Sequence, residues 1–170
     1  YYAKDIKTVD DKTFFTIVDN IENKFLLAEI LVLGDHNVVN ALTAYAVGKY
    51  LNISDSIILN GLKKYKPSNG RQQLLDFGRY KVLADCYNSS YDGIKSILQT
   101  VDLINLKPNA KKIAVIGDIF ELGEHSESIH RQLGPLIATF NLDKVIFYGD
   151  LVKFSYDEYS KLKDNGMYIE

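Results

Sequence analysis

The stretch KVLADCYNSSYDGIKSIL, residues 81–98, decides how the chain is read. Residues 81–84 form a short, largely apolar run of the kind a buried strand presents. Ile94, Ile97, Leu98 and Val101 then recur with the spacing of one helix face. Between them lies a polar loop, residues 85–93, dense in side chains that hydrogen-bond. A strand feeding a helix through such a loop is the first half of a βαβ unit. In open α/β sheets, ligands bind just outside the carboxyl ends of the strands. Asp85 and the Tyr87-Asn88-Ser89-Ser90 cluster fall at that position. A capped turn that holds no ligand uses the same residue types, so both readings stand on this stretch alone.

The pattern repeats downstream. KIAVI at 112–116 and KVIFY at 144–148 read as further buried strands, ending in Gly117-Asp118 and Gly149-Asp150. The helix after Gly93 is expected to stop at Lys107-Pro108. A helix is expected over 126–140, with Ile129, Leu133, Leu136, Ile137 and Phe140 on one face and an interruption at Gly134-Pro135. Another is expected over 157–164, and Met167-Tyr168-Ile169 reads as the start of a fourth strand. Alternating strands and helices specify an α/β fold with a parallel sheet wound right-handedly. Its three strands would set Asp85, Asp118 and Asp150 along one edge.

Upstream the character differs. Residues 13–18 and 24–33 are rich in β-branched and aromatic side chains and read as a hairpin turning at 19–23. Tyr1-Tyr2 is already strand-like, which points to a longer chain. Gly34 ends the sheet, and a helix follows with Asp35 as its N-cap and a buried stripe of Val38, Val39, Leu42, Tyr45, Ala46 and Tyr50. His36, Asn37 and Asn40 then lie on its first turn, where backbone N–H groups and the positive dipole end face outward. Asn37 and Asn40 are three apart and share a face, and asparagine amides suit the donor and acceptor edges of a base; they also serve as plain capping residues. A shorter helix starts at a Ser54 cap and runs towards Lys64. Residues 66–70, KPSNG, are a turn-rich break and the candidate domain boundary. A second hairpin turns at Phe77-Gly78-Arg79.

Composition narrows the classes. With 46% hydrophobic and 25% charged residues, the 170-residue chain has the balance of a globular protein with a sizeable core. A formal net charge of −2 gives no basic footprint for nucleic acid, and no apolar run has the length of a membrane span. The single cysteine, Cys86, excludes an internal disulfide and suits a cytoplasmic location. Neither G-x-x-x-x-G-K-[ST] nor G-x-G-x-x-G occurs. His125 and His130 are five apart, about 140° round a helix, which does not suit a shared metal. His130 and Glu127 are three apart and are expected to pair at the surface.

Four motifs in fixed order carry a resemblance: GDHNVVNAL at 34–42, NGR at 69–71, ADCYNSS at 84–90, and GDIFELGEHS at 117–126 followed by His130. Together they resemble the Mur ligases of bacterial peptidoglycan synthesis, over about residues 14–150. They are most similar to the branch that adds D-alanyl-D-alanine to UDP-N-acetylmuramoyl-tripeptide. The resemblance implies that residues 1–70 are the end of a central ATPase domain. It likewise implies that 71–170 are most of a Rossmann-like C-terminal domain. The family's phosphate loop, carbamylated lysine and principal Mg²⁺ ligands would lie upstream, so this segment alone is expected to be inactive and to hold no metal.

By the same resemblance, His36, Asn37 and Asn40 face adenine, Arg71 the phosphates of ATP and Asp85 the ribose hydroxyls. Tyr87, Asn88, Ser89 and Ser90 face the peptide and the incoming amino-acid substrate. The sequence departs from the family pattern at Ala84, Cys86, Ser90, Tyr91 and Gly93. The implied chemistry is ATP-driven amide formation through an acyl phosphate, by a cytoplasmic, monomeric enzyme acting on small molecules. The rival readings are another amino-acid ligase of the same superfamily and a non-catalytic α/β binding module with Asp118 as a phosphoacceptor.

Overall fold

Thr13, Phe15 and Ile17 alternate with less buried neighbours, so one face of their strand enters a core. That strand, β2 (Lys12–Asp19), lies between β1 (Tyr2–Val9) and β3 (Lys24–Ile30) in an antiparallel sheet. Phe15 stands opposite Ala28 and Thr13 opposite Ile30. The Thr13 hydroxyl is buried but donates to the Val32 carbonyl at 2.7 Å, so no polar atom is stranded there. The computed structural model describes all residues except Asp10, Asp11, Asn69 and Asn105. The first residue of the NGR motif therefore lies outside the described residues. The chain divides into two units, Tyr1–Asp85 and Cys86–Glu170.

In the first unit, α1 (Asp35–Tyr50) and α2 (Asp55–Lys64) complete the core with the sheet. The expected hairpin and both helices are present. The buried stripe of α1 differs from expectation: it is Val38, Ala41, Tyr45 and Gly48, while Val39 and Tyr50 are exposed. Small residues win because α2 comes close. A Cβ on Gly48 would stand 2.7 Å from Ile58 Cδ1. The helix N-cap is Gly34, at φ 93°, and Asp35 is its first residue. Only glycine takes that conformation without strain, so the turn geometry overrides the capping preference of aspartate.

A polar junction ties these elements together. The buried Asp19 carboxylate accepts the N–H groups of Ile21 (2.9 Å) and Glu22 (3.0 Å). The Tyr45 hydroxyl lies 3.1 Å from Asp19 Oδ2 and 3.0 Å from Asp55 Oδ1. Lys49 reaches Asp55 and Glu22, both at 2.9 Å, and Lys24 reaches Asp55 at 3.1 Å. Lys49, beside Asp55, holds that carboxyl at a pKa of about 2. Burial raises the Asp19 carboxyl, but the N–H groups of Glu22 and Ile21 outweigh it and keep the pKa below the usual range. Burial, followed by the two carboxylates, pushes the Tyr45 hydroxyl upward.

Two short strands, β4 (Gln73–Asp76) and β5 (Lys81–Ala84), pair antiparallel and close the first unit. This is the expected second hairpin, with Phe77 stacked on Tyr80 and Gly78 at φ 76° in its turn. It also corrects the expectation that 81–84 opens the parallel sheet. Pairing across a short loop costs little closure entropy, and Lys81–Ala84 takes that local partner. Asp85 therefore does not share a sheet edge with Asp118 and Asp150.

The second unit begins with α3 (Tyr91–Leu103), which ends four residues before Lys107. A parallel sheet follows, in the order β6 (Ile113–Gly117), β7 (Lys144–Tyr148), β8 (Gly166–Ile169). The fourth strand is thus confirmed as β8. Helix α4 (Ser126–Ala138) links β6 to β7, and α5 (Lys153–Tyr159) links β7 to β8. Ile94, Leu98, Ile116, Leu133, Ile137, Val145 and Phe147 form its core.

Two helix expectations are corrected here. Pro135 does not interrupt α4, which runs through it. The proline removes the N–H that would bond the Arg131 carbonyl without breaking the helix; α5 packs beside this turn, and the Ser155 hydroxyl donates to the neighbouring His130 carbonyl at 2.7 Å. The second is the start of α5, four residues earlier than the 157–164 expected. Its buried contacts are Ser155 and Tyr159, and a serine carries no apolar signal in the sequence.

Gly134 is the contact point between α4 and α5. A Cβ there would overlap the Ser155 carbonyl oxygen and stand 2.9 Å from Tyr159 N, both backbone atoms that cannot swing away. Gly134→Ala should therefore destabilise the protein by about 1–3 kcal/mol, read as a lower urea midpoint. The polar junction generates a pH prediction. Asp55 has a depressed folded pKa, so its contribution is present above the unfolded value near 4 and is lost as pH falls towards about 2. Asp55→Asn should remove about 1–2 kcal/mol at neutral pH and flatten the stability decline between about pH 4 and 2. Denaturant titrations at several pH values check this.

Candidate functional site

The chain enters α1 through the positive φ of Gly34, whose carbonyl accepts the Asn37 N–H at 3.0 Å. This tight start puts His36, Asn37 and Asn40 on one turn. The Asn37 amide nitrogen donates to the Leu33 carbonyl at 2.7 Å, which fixes which end of the amide is nitrogen. Its other hydrogen goes to Gln72 Oε1 at 2.9 Å. That partner must be oxygen, because a nitrogen donor could not receive it. The same oxygen lies 2.8 Å from His36 Nε2, so Nε2 carries the imidazole proton. The Asn40 amide reaches Asn37 Oδ1 at 3.4 Å, and Asn40 is exposed. At the other end of Gln72, its backbone N–H donates to Asp85 Oδ1 at 3.2 Å.

Four residues singled out from the sequence are therefore brought together: His36, Asn37, Asn40 and Asp85. Gln72 joins them, and sequence reading missed it. Nothing in a lone glutamine marks such a role. It arises from a left-handed backbone, φ 49° at Gln72 and 72° at Gly70, that turns its side chain and N–H towards different partners. Arg71 precedes it, is exposed, and donates its backbone N–H to the Ser68 carbonyl at 3.1 Å. Asp85 has one oxygen engaged by Gln72; a carboxylate offers about four acceptor positions, leaving room for a further donor.

The loop Cys86 to Ser90 opens the second unit. Tyr87 and Asn88 are exposed, and Asn88 Oδ1 accepts the Ser89 N–H at 2.9 Å. Ser90 is the N-cap of α3, its hydroxyl oxygen accepting the Gly93 N–H at 3.0 Å. The free thiol of Cys86 is exposed.

The expected surface pair of His130 with Glu127 is not formed. His130 is fully buried, with Nδ1 2.7 Å from the Ser126 carbonyl and Nε2 accepting the Ile119 N–H at 3.1 Å. Those partners fix the neutral tautomer with the proton on Nδ1. Glu127 pairs instead with Arg131, at 2.8 Å, one position further along the helix. Leu133 and Ile137 carry this side of α4 into the core, and His130 goes with them. Asp118 Oδ1 accepts the Val152 N–H at 2.7 Å, so this carboxylate braces the loop after β7. Among the described residues, no three His, Cys, Asp or Glu side chains converge as a metal site, and no helix is long and apolar enough to cross a membrane.

A sheet-and-helix unit followed by parallel strands and crossover helices makes this an α/β protein whose second part is Rossmann-like. The family described as "Mur ligase, glutamate ligase domain" matches residues 70–164, and the chain belongs to the Mur ligase family. The UDP-N-acetylmuramoyl-tripeptide–D-alanyl-D-alanine ligase of Bacillus subtilis (strain 168) is 35% identical over 156 residues, 91% of this chain and 33% of that protein. The ligase of that name from Haemophilus influenzae is 31% identical, over 88% of this chain and 32% of its own length. The chain thus spans about a third of these relatives. A crystal structure of MurF from Acinetobacter baumannii superposes with a TM-score of 0.86 at 23% identity, over 98% of this chain and 34% of that one. A MurF ligase from Thermotoga maritima, solved in complex with ADP, superposes at 0.75 with 18% identity, over 98% and 41%.

Proposed function

We propose that this chain is the C-terminal part of an ATP-dependent ligase that joins D-alanyl-D-alanine to UDP-N-acetylmuramoyl-tripeptide. The observation that carries the reading is the bonded set His36–Asn37–Gln72–Asp85. It links amides on a helix N-terminus, suited to a base edge, to a carboxylate suited to a ribose diol. The identity to ligases of that name supports the substrate assignment. In this reading residues 1–70 end the central domain and 71–170 belong to the C-terminal one. The family match beginning at residue 70 supports that boundary.

When bound, ATP supplies the phosphoryl group that activates the tripeptide carboxylate for attack by the dipeptide amine. His36, Asn37 and Asn40 hold the base, and Asp85 accepts from the ribose hydroxyls. Arg71 offers a planar set of N–H donors to the phosphates. Asn88, with a donor and an acceptor, and Tyr87, Ser89 and Ser90 orient the peptide and dipeptide. In this reading the principal ligands of the Mg²⁺ such a reaction uses lie upstream of this segment. The proposed enzyme is cytoplasmic and monomeric.

The test uses the intact ligase that carries this segment. Asp85→Ala should raise KM for ATP by about tenfold or more, since hydrogen bonds to a charged acceptor contribute about 1.5–3 kcal/mol. Asn88→Ala should lower kcat/KM for D-alanyl-D-alanine by about tenfold and leave KM for ATP nearly unchanged. Wild-type KM values for both substrates in both variants would refute the reading.

A further inference from the structure

We propose that Gln72 is a positioning residue of the nucleotide site, one that sets how the site reads the base; this rests on the ATP-site reading above. Gln72 is a non-glycine residue at φ 49°, a conformation that costs energy and persists only where its surroundings hold it. The holding contacts are specific. Its side-chain oxygen receives hydrogens from His36 Nε2 at 2.8 Å and Asn37 Nδ2 at 2.9 Å, and its N–H donates to Asp85 at 3.2 Å. One residue thus spans the base-facing turn of α1 and the ribose-facing carboxylate at the end of β5.

The consequence for recognition follows from counting hydrogens. Asn37 has two amide hydrogens, and both are engaged, one by Leu33 and one by Gln72. Its amide plane is therefore fixed, with Oδ1 turned to the Asn40 amide nitrogen. That contact biases which end of the exposed Asn40 amide lies towards Asn37 and which towards an incoming base. Adenine presents a donor at its exocyclic amine where guanine presents an acceptor oxygen, so a fixed amide discriminates and a freely flipping one does not. Gln72 acts on the base through Asn37 and Asn40 without touching it.

The experiment uses Gln72→Leu, which keeps the backbone N–H and the approximate bulk and removes the accepting oxygen. It also uses Gln72→Asn, which eases the left-handed backbone but is one methylene too short to reach the same partners. In the intact ligase, both variants should weaken ADP binding by about three- to tenfold, measured by calorimetry. The ratio of kcat/KM for ATP over GTP should fall by about fivefold. Inhibition by inorganic tripolyphosphate, which has neither base nor ribose, should stay unchanged. In an Asn37→Ala background, the added effect of Gln72→Leu should shrink, because the two act as one unit. ADP affinity and the ATP-to-GTP ratio both within twofold of wild type would overturn the proposal. So would an equal loss of tripolyphosphate inhibition, which marks a general structural defect. Asp85→Ala separates the two levels. If it weakens ADP binding while the Gln72 variants do not, only the role of Gln72 fails; if neither does, the nucleotide-site reading fails with it.

Discussion

The first unit depends on one buried carboxylate. Asp19 ends β2 with no solvent to share its charge, and it is kept ionised by two backbone N–H groups and the Tyr45 hydroxyl. The hydroxyl has a single hydrogen placed between two carboxylates, Asp19 and Asp55. Lys49 and Lys24 supply the offsetting positive charge. Removing the partners of Asp19, Asp55 or Lys49 would strand a charge in a poorly solvated place, which is why such sets hold or fail as units. Its geometric effect is on α1. Tyr45 pins the middle of that helix to the β2–β3 turn, and close packing of Gly48 on Ile58 sets its roll. The turn bearing His36, Asn37 and Asn40 is aimed by this anchoring.

The second unit meets a related demand, that of backbone N–H groups needing acceptors, with two side chains. Its loops at the carboxyl ends of β6 and β7 carry backbone N–H groups that need acceptors. His130 takes the one from Ile119, and Asp118 takes the one from Val152. A histidine and an aspartate from one contiguous motif therefore serve as scaffolding for the loops around them. Gly134 and Ser155 let α4 and α5 approach closely enough for the Ser155 hydroxyl to serve a carbonyl of the proline-containing helix. Side chains that read in the sequence as half of a surface pair and as a rival phosphoacceptor satisfy, in the structure, backbone hydrogen bonds of a small α/β unit.

Several residues around the proposed site lie on turns rather than inside regular elements. Gly34, Gly70 and Gln72 all take positive φ beside the residues assigned to ATP. Ser90 caps α3, the helix that follows the loop proposed to face substrate. This distribution suits a family whose members share a scaffold and differ in what their loops present. The matched family and the motif order place the chain among Mur ligases. The bonded set around Gln72 adds a physical account of how the groups proposed to face the base and the ribose are kept in register.

Much was legible from residue order alone. Hydrophobic period located nearly every strand and helix, because burial of one face imposes that period whatever the partner. The motif sequence picked out His36, Asn37, Asn40 and Asp85, four residues that the fold brings together, because hydrogen-bonding chemistry restricts which side chains serve at a given turn. Partner choice was not legible. Lys81–Ala84 reads as a strand of either sheet, and only a nearby hairpin partner decided its pairing. The buried faces of α1 and α5 rest on Gly48 and Ser155, whose value is the space they leave, and hydropathy does not register space. His130 beside Glu127 reads as an ion pair by spacing, yet burial assigned it to backbone groups of another segment. Gln72 is the clearest case. Residue type follows from local sequence, but three hydrogen-bond partners at separations of 13 to 36 residues exist only once the chain has folded back on itself.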